Sequence, residues 1–470
     1  MERERGQSRR GISRRDVLRG ASGFALGCAA SRNPREAAAG ELPDSIGEIN
    51  VRCYADYVQD GDWSPAIQAA IDSVCEKDGF TAGATIFFPP GVYRIDRSVI
   101  LGRDPAHSGL HLVGYGAALQ GSPALDEQPL PYEEPEPEEE EAGAPILLLR
   151  KPPGLEWADY VIEGIRFSRR EKGGCAIAVP WDDVPKQTSF RRVIVEGQKL
   201  GVHIPYAWQF SFTDCSFRGN DIGMQIRSHG NHIHIAGCEF RRNHHHGLVI
   251  GPDRDQWASN VQHISGSIFE DNKGYGVLLQ SSAQTVLAGN YFEANGTSIG
   301  IYTQWEVTVD TNLFWGYYGH GWRHSPFADN AHIVVSGCQS LHLRNNRYAE
   351  VKAWFRRPEE GGPWEYVPRP PGPAGVETKE PAPPDKEPGF VYQERSVSVL
   401  INGAFGGRYV FDTAPEAGPE ASINTTRMIR DTGLEYYEYQ PESNRFELKS
   451  LLDGREVLDE EQTGSDEGLE

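Results

Sequence analysis

The 470-residue chain has no apolar run long enough to span a bilayer, no Cys-x-x-Cys pair and a shortage of base. The first absence excludes an integral membrane span in the mature chain. The second argues against zinc-ribbon and dithiol redox sites, and a chain of this length needs no disulfide framework to supply its core. Lys and Arg total 46 against 67 Asp and Glu, a formal charge of −21, which argues against nucleic acid as a partner. The excess acid is concentrated in two places. Glu133–Glu141 holds seven glutamates and Asp453–Glu470 holds eight acids against Arg455, so these stretches read as solvated segments.

The N-terminus is read separately from the fold. Arg14-Arg15 stands just before the small, apolar run Gly20–Ala30, which is the pattern of a twin-arginine export signal. The expected location is therefore periplasmic, cell-surface or extracellular. Ala25-Leu26-Gly27-Cys28 leaves a lipid anchor at Cys28 as an open alternative.

Residues 51–101 read as strand, Gly61-Asp62 turn, helix and apolar strand. Ser64 suits an N-cap and Pro65 the first helical position, and Ile67, Ala70 and Ile71 share one face. Ala84–Phe88 and Pro89-Pro90-Gly91-Val92-Tyr93-Arg94-Ile95 follow. This block resembles the N-terminal segment of the pectate-lyase superfamily, with Trp63 where that pattern has a third glycine. The resemblance implies a right-handed parallel β-helix whose helix caps the open end.

The middle of the chain repeats. Phe217, Phe240, Phe269, Phe292 and Phe314 close equivalent tripeptides, and Phe167, Val195 and Tyr348 extend the series. The base spacing is 22 or 23 residues, lengthened by insertions to 28, 29 and 34. That is a β-helix coil, because the segments are short, β-branched and punctuated by Gly and Asn. Asn220, Asn243, Asn272 and Asn295 follow the aromatic column, and are assigned to left-handed corners with stacking amides. A glycine column, Gly201, Gly223, Gly247, Gly276 and Gly300, opens the next strand. Alternation then puts Val202, Met224, Leu248, Val277 and Ile301 inside. Cys215, Cys238, Ser267, Asn290 and Asn312 form another inward column, with Cys215 over Cys238 as stacked thiols or, alternatively, a disulfide.

The expected fold class is thus all-β, a right-handed single-stranded parallel β-helix with an N-terminal capping helix. Its expected divisions are 1–40 for signal and linker, and 48–356 for the helix with an acidic insertion at 125–144. A Pro-rich loop at 357–388, a terminal coil or small β cap at 389–452 and an acidic tail at 453–470 follow.

The outward face of the glycine-led strands offers Gln225, Arg227, Gln280, Tyr302 and Gln304, with Trp305 beside it and Trp257 in an inserted loop. Aromatic faces plus amides suit sugar rings. Residues 215–251 also resemble the polygalacturonase family. Asp221 would match one carboxylate of that family's pair and His246 its histidine, but Asn220 stands in place of the second Asp. An inverting glycosidase needs two carboxylates, and Asp253 and Asp255, in the loop leaving the same strand, are the candidates for the missing acid. The expected function is an exported protein acting on polysaccharide as hydrolase or lyase. A glycan-binding or structural β-helix and a uronic-acid polymer epimerase remain as alternatives. No cofactor is expected, and calcium enters only if the reaction is a lyase.

Overall fold

The computed structural model describes residues 48–450 apart from 75–82, 130–142, 182, 228–229, 252–259, 281–282, 303–304, 316–330, 350–352, 357–364, 368–390, 395–396, 405–408, 424–427 and 431–434. Each coil adds one short strand to each of three parallel sheets. Sheet one runs from Glu48–Asn50 and Thr85–Phe87 to Ser340–Arg344 and Tyr409–Phe411. Sheet two runs from Gly91–Ile95 to Arg347–Ala349, and sheet three from Val99–Leu101 to Glu416–Ile423. Two longer strands, Arg166–Ala178 and Ile194–Ile204, pass round the corner from sheet two into sheet three.

The core is a set of columns, because equivalent side chains of successive coils sit ~4.8 Å apart. The rings of Phe217, Phe240, Phe269, Phe292, Phe314 and Tyr348 stack at centroid spacings of 4.8 to 5.0 Å. Beside them runs a ladder of buried amides. Asn220, Asn243 and Asn272 each donate Nδ2 to a carbonyl one coil back, of Val195, Phe217 and Phe240. Each amide oxygen accepts the backbone N–H of the neighbouring rung. Gln198 ends the ladder, and the guanidinium of Arg169 closes it by donating to Gln198 Oε1 at 2.9 Å and Asp126 Oδ1 at 2.7 Å. A second ladder, Asn290–Asn312–Asn346, ends on Asp412, whose Oδ2 accepts from the N–H and Nδ2 of Asn346 at 2.8 Å each. Burial holds the Asp412 carboxyl above the ordinary carboxylate range.

The asparagines do not take the left-handed conformation themselves. It falls on the residue before each, Gly219, Arg242, Asp271 and Ala294, with φ of 53° to 64°. The ladder sets this arrangement: the asparagine must keep an extended backbone to aim its amide inward, so its neighbour makes the turn. Left-handed backbone costs a non-glycine residue roughly 1–2 kcal/mol, which the inter-coil amide bonds offset. Cys215 and Cys238 are both free thiols, stacked and buried in their column.

The helix α1 spans Ser64–Asp72. Ser64 is its first residue and not its cap, and its hydroxyl donates to the buried Asp62. The apolar face, Ile67, Ala70 and Ile71, joins the core of the first coil with Ile86 and Phe88. Gln68 fixes the helix to that coil by accepting from Ile100 N and donating to Ile100 O.

At the far end, Val397–Ala404 and Glu416–Ile423 continue sheet three in parallel, and an antiparallel hairpin, Glu435–Gln440 with Arg445–Ser450, closes sheet one. Ala353–Arg356, Glu365–Val367 and Val391–Glu394 form a separate antiparallel sheet. One of its strands thus lies inside the span expected to be a Pro-rich loop. Among the described residues no helix is long and apolar enough to cross a membrane.

Candidate functional site

The expected sugar-binding face is the outside of sheet three, and its register differs from expectation. Leu278 pairs with Gly300 and Gln280 with Tyr302, so Ile299, not Ile301, continues the Val277 column. Ser298 therefore stands where the glycine column was expected. Gly300 faces outward, and a Cβ there would lie 2.7 Å from the Tyr275 ring. The missing side chain gives that ring its seat. Val249, Tyr275 and Leu278 are nearly inaccessible and cluster outside the main core, with Ile222 and Tyr302 packed against them. The centre of this face is an apolar patch. Gln225, Arg227, Gln280 and Tyr302 are half-buried around it.

His246 belongs to the patch. Its Nδ1 accepts the Tyr275 N–H at 3.1 Å, and its ring packs on Tyr275 at 5.4 Å. Tyr275 and Tyr302 share a hydroxyl bond of 2.9 Å. Burial, and then His245, push the His246 pKa down to about 4. It is a neutral ring carrying its proton on Nε2, not a cationic acid at neutral pH.

Asp221 points elsewhere. Its Oδ1 accepts from Lys172 Nζ at 2.5 Å, across 49 residues of sequence. The imidazole that feels Asp221 is His244, whose pKa is lowered by desolvation first, then by Lys172 and Lys273, with Asp221 opposing. The structure thus puts Asp221 with Lys172 and His244, and His246 with Tyr275. Asp253, Asp255, Trp257 and Gln304 lie outside the described residues. So do Cys28, the twin-arginine segment and most of the acidic insertion.

Lys172 leads to a site the sequence reading did not find. A cleft of about 450 Å³ lies against sheet two and the exposed middle of the strand Arg166–Ala178. Among the residues that line it are Trp63, Val92, Arg94, Gln120, Ser122, Asp126, Arg170, Glu171 and Lys172. Arg94 is held in a fork by Asp96, and Asp126 is taken up by Arg169. Arg170 and Glu171 make no ion pair among the described residues, so both are available to a ligand. The signal was faint: Arg170-Glu171-Lys172 is an exposed charged run between two buried stretches of one strand.

The outer column of sheet two is a charge ladder. Glu196 pairs with Arg166 and Arg218, and Arg241 pairs with Glu239 and Glu270 at 2.8 and 2.7 Å. These carboxylates are shared with arginines, and Glu293, in register beside Glu270, accepts from the Tyr291 hydroxyl at 2.7 Å. Among the described residues no group of three or more His, Cys, Asp or Glu is placed to hold a metal ion.

Residues 161–314 match the family model described as the right handed beta helix region. The chain is a right-handed parallel β-helix. Its fold is the one implied by the pectate-lyase resemblance. The β-helix is similar to ORF18 of Geobacillus virus E2, at 11% identity over 86% of each chain and a TM-score of 0.45. It is also similar to DFA-IIIase from Arthrobacter chlorophenolicus A6, at 13% identity over 83% of this chain and 92% of that one, TM-score 0.43. A third likeness is to the A-module of the Azotobacter vinelandii mannuronan C-5 epimerase AlgE4, at 14% identity over 64% and 95%, TM-score 0.37. No curated protein sequence matches the chain.

Proposed function

We propose that this β-helix is a carbohydrate-active protein that binds and cleaves an acidic polysaccharide in the cleft between Trp63 and Lys172. The supporting observation is the cleft itself, where an indole wall, the Gln120 amide and the cation of Arg170 surround a space of sugar dimensions. An indole face takes the C–H face of a pyranose, an amide its hydroxyl edge, and arginine a uronate carboxylate in a two-pronged bond. Glu171, which lines the cleft, and Asp221, which pairs with the adjacent Lys172, supply carboxylates for proton transfer.

The test is a panel of neutral and uronate polysaccharides, read by reducing ends and by absorbance of unsaturated uronides. Wild type is expected to cleave one or more uronate polymers. Arg170→Ala should raise KM, and Glu171→Gln should lower kcat by 100-fold or more. Full activity in both variants would exclude the cleft as the site. Wild type that binds a polymer and releases no product would leave the binding-module reading, which the closed apolar face of sheet three favours.

We also infer export by the twin-arginine route. Replacing Arg14 and Arg15 together by Lys should retain the chain in the cytoplasm, seen by fractionation. Unchanged export would remove this reading.

A further inference from the structure

Sheet one carries a second set of aromatic and amide side chains, at the corner where each coil enters it. Lys186, Trp208 and Asn231 stand in register on successive coils. A left-handed residue follows each of them, Gln187, Gln209 and His232, at φ of 59° to 60°. The chain therefore turns the same way three times, and these three side chains project from one edge. The Lys186 ammonium sits 5.1 Å from the centres of both the Trp157 and Trp208 rings, holding the two indoles in place. Trp157 is 41% exposed. Beyond Trp208, Asn260 donates to the Asn231 amide oxygen. Here a recess of about 370 Å³ opens between Trp208, the two asparagines and His232. The same register continues through Ala283, too small to close the row, to Trp305, whose backbone neighbours Ala283 through Glu306. Trp305 is 59% exposed. It thus stands at the head of sheet one, not on the sheet-three face where the sequence placed it.

We propose that this edge is a second, non-catalytic binding track for a linear polysaccharide lying parallel to the solenoid axis. Successive coils rise by ~4.8 Å, roughly the advance of one sugar ring along an extended glycan. A pyranose stacked on Trp208 brings its neighbours over Asn231 and Asn260, whose amides meet hydroxyl edges. Trp305 receives a ring further along. Lys186 acts as a positioning residue. The track lies on a different sheet from the cleft, so it would hold a polymer while the cleft works on another stretch. It rests on the reading that the protein is carbohydrate-active, but on none of the cleft's residues.

The test is affinity electrophoresis of the full chain in gels containing polygalacturonate, alginate or an uncharged mixed-linkage β-glucan, with tryptophan fluorescence of the same polymers in solution. At least one gel is expected to retard the wild type. Trp208→Ala and Trp305→Ala should each weaken that retardation by 10-fold or more, and Trp208→Phe, which keeps an aromatic face, should recover part of it. Circular dichroism confirms that each variant is folded. Arg170→Ala should leave intact the part of the fluorescence change that Trp208→Ala removes. Retardation that survives both tryptophan variants and is lost in Arg170→Ala overturns the track and keeps the cleft. No retardation in any gel overturns the track whatever the cleavage assay shows.

Discussion

Arg169→Met is expected to destabilise the β-helix by about 3–5 kcal/mol, read from the urea unfolding midpoint, although the residue itself lines neither proposed binding site. The side chain of Arg169 is 1% exposed. It donates to four acceptors: Gln198 Oε1, Asp126 Oδ1, and the carbonyls of Ala144 and Cys175 at 3.0 and 3.3 Å. Desolvation lowers its pKa and Asp126 opposes that shift, so the guanidinium stays charged and shares its charge with one carboxylate. Methionine fills much of the volume and supplies no donor. Three buried acceptors would then lose their partner, and the Gln198 end of the amide ladder would be left open. Asp126→Asn should cost much less, because that carboxylate is 35% exposed and water can replace part of what is lost. Equal losses in the two variants would show that the energy resides in the Asp126 pair. A loss below 1 kcal/mol in Arg169→Met would show that the ladder needs no cap.

The β-helix should also lose stability steeply in acid, with His332 as the main cause. His332 is 3% exposed and lies beside the stacked rings of Phe314 and Tyr348, at 5.6 and 6.1 Å from their centres. Burial lowers its pKa to about 4. In the unfolded chain the same imidazole protonates near pH 6.5. Between these values the unfolded chain holds a proton that the folded one refuses, so acid favours unfolding. The stabilisation from the neutral ring is complete above pH 6.5 and declines as the pH falls, until nothing remains below pH 4. A shift of this size corresponds to roughly 3 kcal/mol. His246, lowered to about 4 by the same cause, adds a smaller amount because it is only half-buried. His332→Phe should flatten the stability profile between pH 7 and 4 by most of that amount, since phenylalanine suits the aromatic column and cannot protonate. Parallel profiles for wild type and variant, followed by urea unfolding at each pH, would count against His332.

Both effects come from the inside of the solenoid, which is the part most legible in the sequence. A coil stacks on a copy of itself, so like residues recur at one period and neighbours in space are predictable from the count. The phenylalanine column, the Asn220–Asn295 ladder and the Cys215–Cys238 column all follow from that rule. It failed at coil corners. Gly300 was aligned with Gly276, but it lies one residue further from its asparagine, and the sheet register puts Ser298, not Gly300, opposite Gly276. Glycine marked the strand entry in four coils and a seat for Tyr275 in the fifth, two uses that look alike in one dimension.

The outer surface obeys no such period. Asp221 is bound to Lys172 because the strand Arg166–Ala178 carries its charged run round the corner, to a point two coils below its partner. The cleft draws Trp63, Gln120 and Arg170 from three separated segments. Trp208 and Trp305 reach one edge of sheet one because the sheet register brings their coils into line there. Sequence alone determined the coil, the buried columns and the all-β class, since these depend on repeated contacts between like residues one coil apart. The tertiary structure decided which side chains share a cleft, which acid meets which base and which face is closed. Those outcomes depend on corner geometry and insertion length, where unlike residues meet and no period constrains them.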